Sequence, residues 1–220
     1  MAAEQAQLQA ATGKSVRTIC AHRDIVREGD QPRTVKVMLE GWAMRYKQLP
    51  DGRRQILALM IPGDMHAAAP LAQQPADHAL GTLTPVRYAE IPLAEFEALL
   101  AESPNLTRAV WRAELVTVSI QREWTTNIGQ RQAYERIAHL LCETFARLRA
   151  IGLTRGDSCE FPLTQIDIAD ATGLTPVHVN RMIQALRHDG LVELRDKRLQ
   201  VRNPAKLRQI AMFNPAYLHL

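Results

Sequence analysis

The sequence predicts an α+β protein in three parts: an N-terminal β-roll, one long helix, and a C-terminal helix-turn-helix followed by a wing. Three observations carry this. Short apolar runs separated by turn signals fill the chain as far as Arg87. After Pro92 the apolar residues recur at helical spacing instead. Between Thr164 and Leu186, two capped helical stretches flank a single glycine, Gly173. The boundaries expected are 14–100 for the roll, 104–128 for the long helix and 131–220 for the C-terminal domain.

In the roll, strand-like runs are read at Arg23–Val26, Val35–Leu39, Trp42–Tyr46, Gln55–Met60 and Thr82–Tyr88. Glu28-Gly29-Asp30-Gln31-Pro32, Pro50-Asp51-Gly52 and Pro62-Gly63-Asp64 break them. An Asp-Gly pair between two such runs is a hairpin signal, and many short strands at even spacing favour a roll or sandwich.

Leu93, Phe96, Leu99 and Leu100 then fit a short amphipathic helix. Ser103-Pro104 opens a longer one, with the serine as N-cap and proline in the first turn. It is expected to run to about Asn127, with Gly129 as the interruption. One apolar stripe is Leu106, Val110, Ala113, Thr117, Ile120 and Trp124; a second contains Trp111, Leu115 and Val118. Alternating four- and three-residue steps make a coiled-coil seam. The two stripes would serve to pack one face on the roll and the other on a second copy of the chain. A further helix is expected over Ala133–Ala150, and Gly152–Asp157 as a linker.

The most informative stretch begins at Phe161. Thr164 caps a short helix in which Ala169 provides the small side chain needed at a close helix crossing. Gly173 ends that helix, and Thr175-Pro176 opens the next. In this second helix Val179, Met182, Ile183 and Leu186 form the buried stripe. Val177, Arg181, Gln184 and His188 point the other way, with Asn180 on the shoulder. A helix presented like this reads the major groove with its N-terminal residues. Arg181 suits a guanine, Asn180 an adenine and Val177 a thymine methyl. Thr164, Thr175 and the first amides of both helices suit phosphate oxygens; Pro176 and His178 share that end. Leu191–Leu194 and Leu199–Val201 flank a turn carrying Lys197 and Arg198, a basic wing for the backbone.

The bulk numbers agree with this reading. The net charge is +4, and from Phe161 onward eight Lys/Arg oppose five Asp/Glu, a basic module suited to a polyanion. No apolar run is long enough to cross a bilayer. Met1–Thr12 reads as a polar or helical lead-in, not a secretory signal. Three scattered cysteines, Cys20, Cys142 and Cys159, point to a reducing compartment, hence the cytoplasm. They offer no CxxC pair for a zinc ribbon. No P-loop, dinucleotide fingerprint or Ser-His-Asp order is present, so no enzyme and no cofactor are expected.

The run Leu163-Thr164-Gln165, Ile168-Ala169, Gly173-Leu174-Thr175, Val179-Asn180-Arg181, Leu186 and Gly190-Leu191-Val192 resembles the cyclic-AMP receptor protein / fumarate-nitrate reduction regulator (CRP/FNR) family. Val26–Asp30 and Ile61–Asp64 look like the two glycine turns of its cyclic-nucleotide-binding-like sensor domain. The resemblance covers nearly the whole chain. It implies a homodimer that binds an inverted-repeat, double-stranded DNA operator and contacts RNA polymerase, with no membrane partner. Arg181 matches the family's guanine-reading arginine, whereas Val177 stands where a base-reading glutamate is usual.

The sensor pocket departs from the family's pattern. Gly63-Asp64 survives in outline, but Ala76-Asp77-His78-Ala79-Leu80 lacks the arginine and hydroxyl that hold a cyclic phosphate. Only Cys20 lies where an iron-sulfur sensor needs several cysteines. The effector site is therefore a degenerate pocket near Gly63, Asp64 and His78. The alternative is a ligand- or redox-gated sensor of haem, nitric oxide or a small metabolite on the same scaffold. His66 and His78 read as polar surface residues, and Cys159 as a buried thiol or, with Arg155 nearby, a redox switch.

Overall fold

The structure, a computed structural model, describes residues 11–67 and 71–219. The lead-in expected over Met1–Thr12 therefore lies, up to Ala10, outside the described residues. The chain forms two compact units. The first runs to Val118 except for Arg54–Ile56; the second comprises Arg54–Ile56 and Ser119–Leu220.

The first unit holds two four-stranded sheets. One has the order β1 (Val16–Ile19), β8 (Val86–Pro92), β3 (Thr34–Glu40), β6 (Met65–His66). The other runs β2 (Asp24–Val26), β7 (Ala79–Thr82), β4 (Ala43–Gln48), β5 (Arg54–Met60). The first sheet is covered on both faces because its side chains alternate. Met38, Val86 and Tyr88 pack with Ala43, Met60 and Leu80 of the second sheet. Val35, Val37, Ala89 and Ile91 pack instead with Phe96 of α1 (Leu93–Glu102) and with Leu106 and Val110 of α2 (Pro104–Gln130).

Two expectations change here. Thr82–Tyr88 is not one strand but the end of β7 and the start of β8. Pro85 has no amide for a ladder, and the amides of Leu83 and Thr84 turn back onto the Trp42 carbonyl at 2.8 and 3.2 Å. The short strands β1 and β6 were not anticipated.

The long helix starts as expected, with the Ser103 hydroxyl accepting the Leu106 amide at 3.2 Å. It does not stop at Gly129 but continues to Gln130. A Cβ at Gly129 would meet only open space, so this glycine costs about 1 kcal/mol of helix propensity without breaking the helix. Of the inner stripe, Leu106, Val110, Ile120 and Trp124 are buried, whereas Ala113 is exposed.

The second unit contains α3 (Ala133–Ala150), α4 (Gln165–Thr172), α5 (Pro176–His188), α6 (Pro204–Ile210) and a short 3-10 turn (Pro215–Leu218). It also holds a sheet of order β11 (Val192–Arg195), β12 (Arg198–Val201), β10 (Ser158–Glu160), β9 (Thr154–Arg155). The expected linker Gly152–Asp157 is thus partly a hairpin, turning at Gly156 with φ 58° and pairing Cys159 with Thr154 and Leu199. Among the described residues no helix is long and apolar enough to cross a membrane.

Candidate nucleic-acid interface

The helix-turn-helix is built by local chemistry. Thr164 and Asp167 form a reciprocal cap: the Asp167 amide donates to the Thr164 hydroxyl at 3.1 Å, and the Thr164 amide to the Asp167 carboxylate at 3.0 Å. The Thr164 hydroxyl proton also goes to Asp167, at 2.7 Å, so this side chain is committed to the cap. Gly173 ends α4 in the left-handed region, φ 65°. The Thr175 hydroxyl then accepts the His178 amide at 3.3 Å, with Pro176 in the first turn. Its own proton remains available to a phosphate.

One face of α5 is buried through Val179, Ile183 and Leu186. The opposite face is open: Val177 is 81% exposed, and Asn180, Arg181 and Gln184 are exposed beside it. His178 is half-buried, while Thr164, Thr175 and Pro176 are exposed. Among the described residues no side-chain hydrogen bond or ion pair engages Asn180, Arg181 or Lys197. A neighbouring cation is differently placed, since Arg187 pairs with Glu193 at 2.9 Å. The wing turns through Asp196 and Lys197, both with positive φ (51° and 57°), the signature of a tight two-residue hairpin. This leaves Lys197 and Arg198 exposed at its tip, with Arg198 also donating to Ser158 at 3.2 Å. Sequence reasoning passed over Ile166, 58% exposed at the start of α4. An apolar residue one step from the Thr164–Asp167 cap was the available signal.

The sensor unit is arranged differently from its sequence reading. The Asp64 carboxylate accepts the Ile61 amide at 2.8 Å, and the Gly63 amide donates to the Met38 carbonyl at 2.9 Å. Both residues hold a turn. His66 and His78 are not surface residues: His66 is 2% exposed, and its ring meets that of His78 edge-on at 5.4 Å. Burial first, and then the Arg45 cation, lowers the His66 pKa to about 3. His78 is held by Asp77, Nδ1 to carboxylate 2.6 Å. In both rings Nε2 is buried without a partner. Two buried cations join them: Lys36, whose register partner is His66, and Arg45, which donates to the Met65 carbonyl at 2.6 Å. They come from β3 and β4, strands of different sheets, and no local motif announces that they meet.

Ala76–Leu80 is the segment in which the family's cyclic-phosphate ligands are expected. That segment offers no guanidinium or hydroxyl, and the Asp77 side chain is 84% exposed. Cys159 is 1% exposed, and burial pushes its thiol up to about 11 despite the nearby Arg198. The cation acting on it is Arg198, not Arg155, and the thiol is the inert form at neutral pH.

Comparison with known proteins agrees with both units. Residues 16–103 match the cyclic nucleotide-binding domain, and residues 135–210 match the Crp-like helix-turn-helix domain. The nitrogen fixation regulation protein FixK of Bradyrhizobium diazoefficiens is 31% identical over 176 residues, covering 79% of this chain and 72% of that protein. The transcriptional activator protein FnrL of Cereibacter sphaeroides is 29% identical over 188 residues, covering 84% and 75%. The structure of FixK2 from Bradyrhizobium japonicum superposes with a TM-score of 0.80 at 23% identity, covering 89% of this chain and 96% of that one. A sensor-type roll, a long helix and a winged helix-turn-helix define a DNA-binding transcription regulator, not an enzyme. This chain belongs to the CRP/FNR family of transcription regulators.

Proposed function

We propose that the protein acts in the cytoplasm as a homodimer on an inverted-repeat operator, reading each half-site with α5 and gripping the backbone with the wing. The observation that carries this is the open face of α5. Arg181 and Asn180 are exposed and uncommitted beside the buried stripe Val179, Ile183 and Leu186. A guanidinium held free at that position can pair bidentately with guanine O6 and N7. Asn180 and Val177 supply an adenine and a thymine contact, and Gln184 and His178 flank them. Thr175, Lys197, Arg198 and the first free amides of α4 and α5, those of Gln165 and Val177, meet phosphates, with Thr164 and Pro176 shaping the helix ends that present them.

Dimerisation is supported by the second stripe of α2. Trp111, Leu115 and Val118 are 68%, 58% and 37% exposed at i, i+4, i+7 spacing. An exposed tryptophan continuous with a leucine and a valine on one helix is a surface that a second copy covers. A two-fold dimer presents two α5 helices, hence two half-sites about one helical turn apart. RNA polymerase is the partner such a bound dimer would contact. The boundaries 14–100, 104–128 and 131–220 are the working division into sensor roll, dimer helix and DNA-binding domain.

A second reading, in which the roll gates DNA binding with a small ligand, is favoured by the buried Nε2 atoms of His66 and His78. Selection from a random-duplex pool tests the main reading. Enrichment of one inverted repeat supports it, and recovery of no motif overturns it.

A further inference from the structure

We propose that Arg136 is a positioning residue that sets the operator's half-site spacing, by locking the helix-turn-helix onto the last turn of α2. The proposal rests on the reading of α2 as dimer seam and α5 as recognition helix. Arg136 lies in the first turn of α3, between those two elements in the chain.

Its guanidinium is spent on backbone carbonyls. Nη1 donates to the Thr172 carbonyl at 2.7 Å; Nη2 donates to Ile128 at 2.8 Å and to Arg131 at 3.0 Å. Thr172 is the last residue of α4, and Ile128 lies in the last turn of α2. Those carbonyls belong to the helix ends that lack intrahelical donors and carry the negative end of each helix dipole. Among the described residues no carboxylate pairs with Arg136. The charge is thus used to join two helix ends.

Two further contacts converge on the same place. A Cβ on Gly173, the turn glycine, would lie 3.7 Å from the Ile128 side chain and 3.8 Å from Arg136 Nη1. Two residues before Arg136, the Tyr134 hydroxyl donates to the Asp189 carboxylate at 2.6 Å, and Asp189 is the C-cap of α5. The first turn of α3 therefore holds the C-terminal ends of both helices of the motif. Of the described side chains in that first turn, Arg136 is the one that also bonds a carbonyl of α2. A lysine has one ammonium centre and cannot span the three carbonyls as a planar fork does.

This matters for the operator because one added base pair moves a half-site about 3.4 Å and turns it about 34°. Only a stiff joint between seam and recognition helix penalises that change. Loosening the joint leaves the bases contacted by α5 untouched but lets the dimer accept several spacings.

The test uses full-length wild type, Arg136→Gln and Arg136→Lys, with inverted repeats of the selected half-site whose separation varies from −2 to +2 base pairs. Anisotropy titrations give affinity at each spacing. Wild type should prefer one spacing by about tenfold or more. Arg136→Gln should keep the same base preferences within the half-site while its spacing preference collapses to about two- to threefold. Arg136→Lys should fall between. A merely structural role would lower affinity at all spacings and keep the profile, and that result overturns the proposal, as does an unchanged profile. If Arg136→Gln does not fold, Arg136→Lys decides by the same criterion. A wild type that selects no inverted repeat removes the dimeric-operator reading itself; a wild type with sharp spacing and variants equally sharp removes only Arg136.

Discussion

The Trp124 indole donates to the Glu143 carboxylate at 2.9 Å, joining the end of α2 to the middle of α3 in the interior of the C-terminal unit. Glu143 is 1% exposed, and its other oxygen accepts the Tyr217 hydroxyl at 2.7 Å. Burial raises the Glu143 pKa, opposed by the Arg147 charge and by these two hydrogen bonds. A buried carboxylate depends on such donors. Tyr217→Phe should therefore destabilise the protein by about 1–3 kcal/mol, measured by urea unfolding. The loss should be greater at pH 8 than at pH 5, because removing a donor hurts the charged form most.

His139 adds a pH dependence of the opposite sign. It is fully buried, stacked on Tyr217 at 6.2 Å and edge-on to Phe213 at 5.4 Å. Burial, and then the Arg131 cation, lowers its pKa from 6.5 to about 3. Unfolded, it takes a proton below about pH 6.5; folded, it stays neutral until about 3. Its contribution to stability is thus present above pH 6.5 and lost as pH falls toward 3. Glu143, raised above 4.5, contributes most below that value and loses it as pH rises through its folded pKa. His139→Gln should lower the urea midpoint less between pH 7.5 and 5 than wild type does. His66, shifted the same way in the sensor unit, leaves part of the slope in place.

Leu115→Arg places like charges against each other across the proposed seam without disturbing the fold of the chain, since Leu115 is already 58% exposed. Light scattering should show a monomer, and affinity for the inverted repeat should fall at least about tenfold as two half-sites stop binding together. A dimeric variant with wild-type affinity would remove Trp111, Leu115 and Val118 as the interface.

Lys197 sits at the tip of the wing, and its ammonium has no partner among the described residues. Lys197→Ala should weaken binding to operator and random duplex alike. In the dimer it should reduce the slope of log K against log salt by about 1 per subunit. A loss confined to the operator would make Lys197 a base reader.

How much of this was legible in the sequence follows from how local each signal is. Thr164, Gly173 and Thr175-Pro176 act within four residues of themselves, so the helix-turn-helix and its open face could be read directly. The two stripes of α2 were legible as a period, but not Ala113, because sequence spacing alone does not say which side of a stripe faces the core. The roll was legible as a class only. The split at Pro85 depends on where Trp42 lies, and the burial of His66 depends on β6 pairing with β3, where Lys36 is its partner. Arg136, and the network of Trp124, Glu143 and Tyr217, join residues up to 74 positions apart, and no motif marks them.

Arg181 is the side chain on which operator recognition by α5 depends most directly. On the selected operator, affinities would be measured for wild type and Arg181→Ala, with each base of the half-site replaced in turn. Wild type should lose about 1–3 kcal/mol when one particular guanine is changed, and Arg181→Ala should lose that amount on the parent operator while becoming indifferent to the base there. Arg181→Ala retaining the wild-type preference at every position would contradict the reading of α5 as the element that recognises the operator.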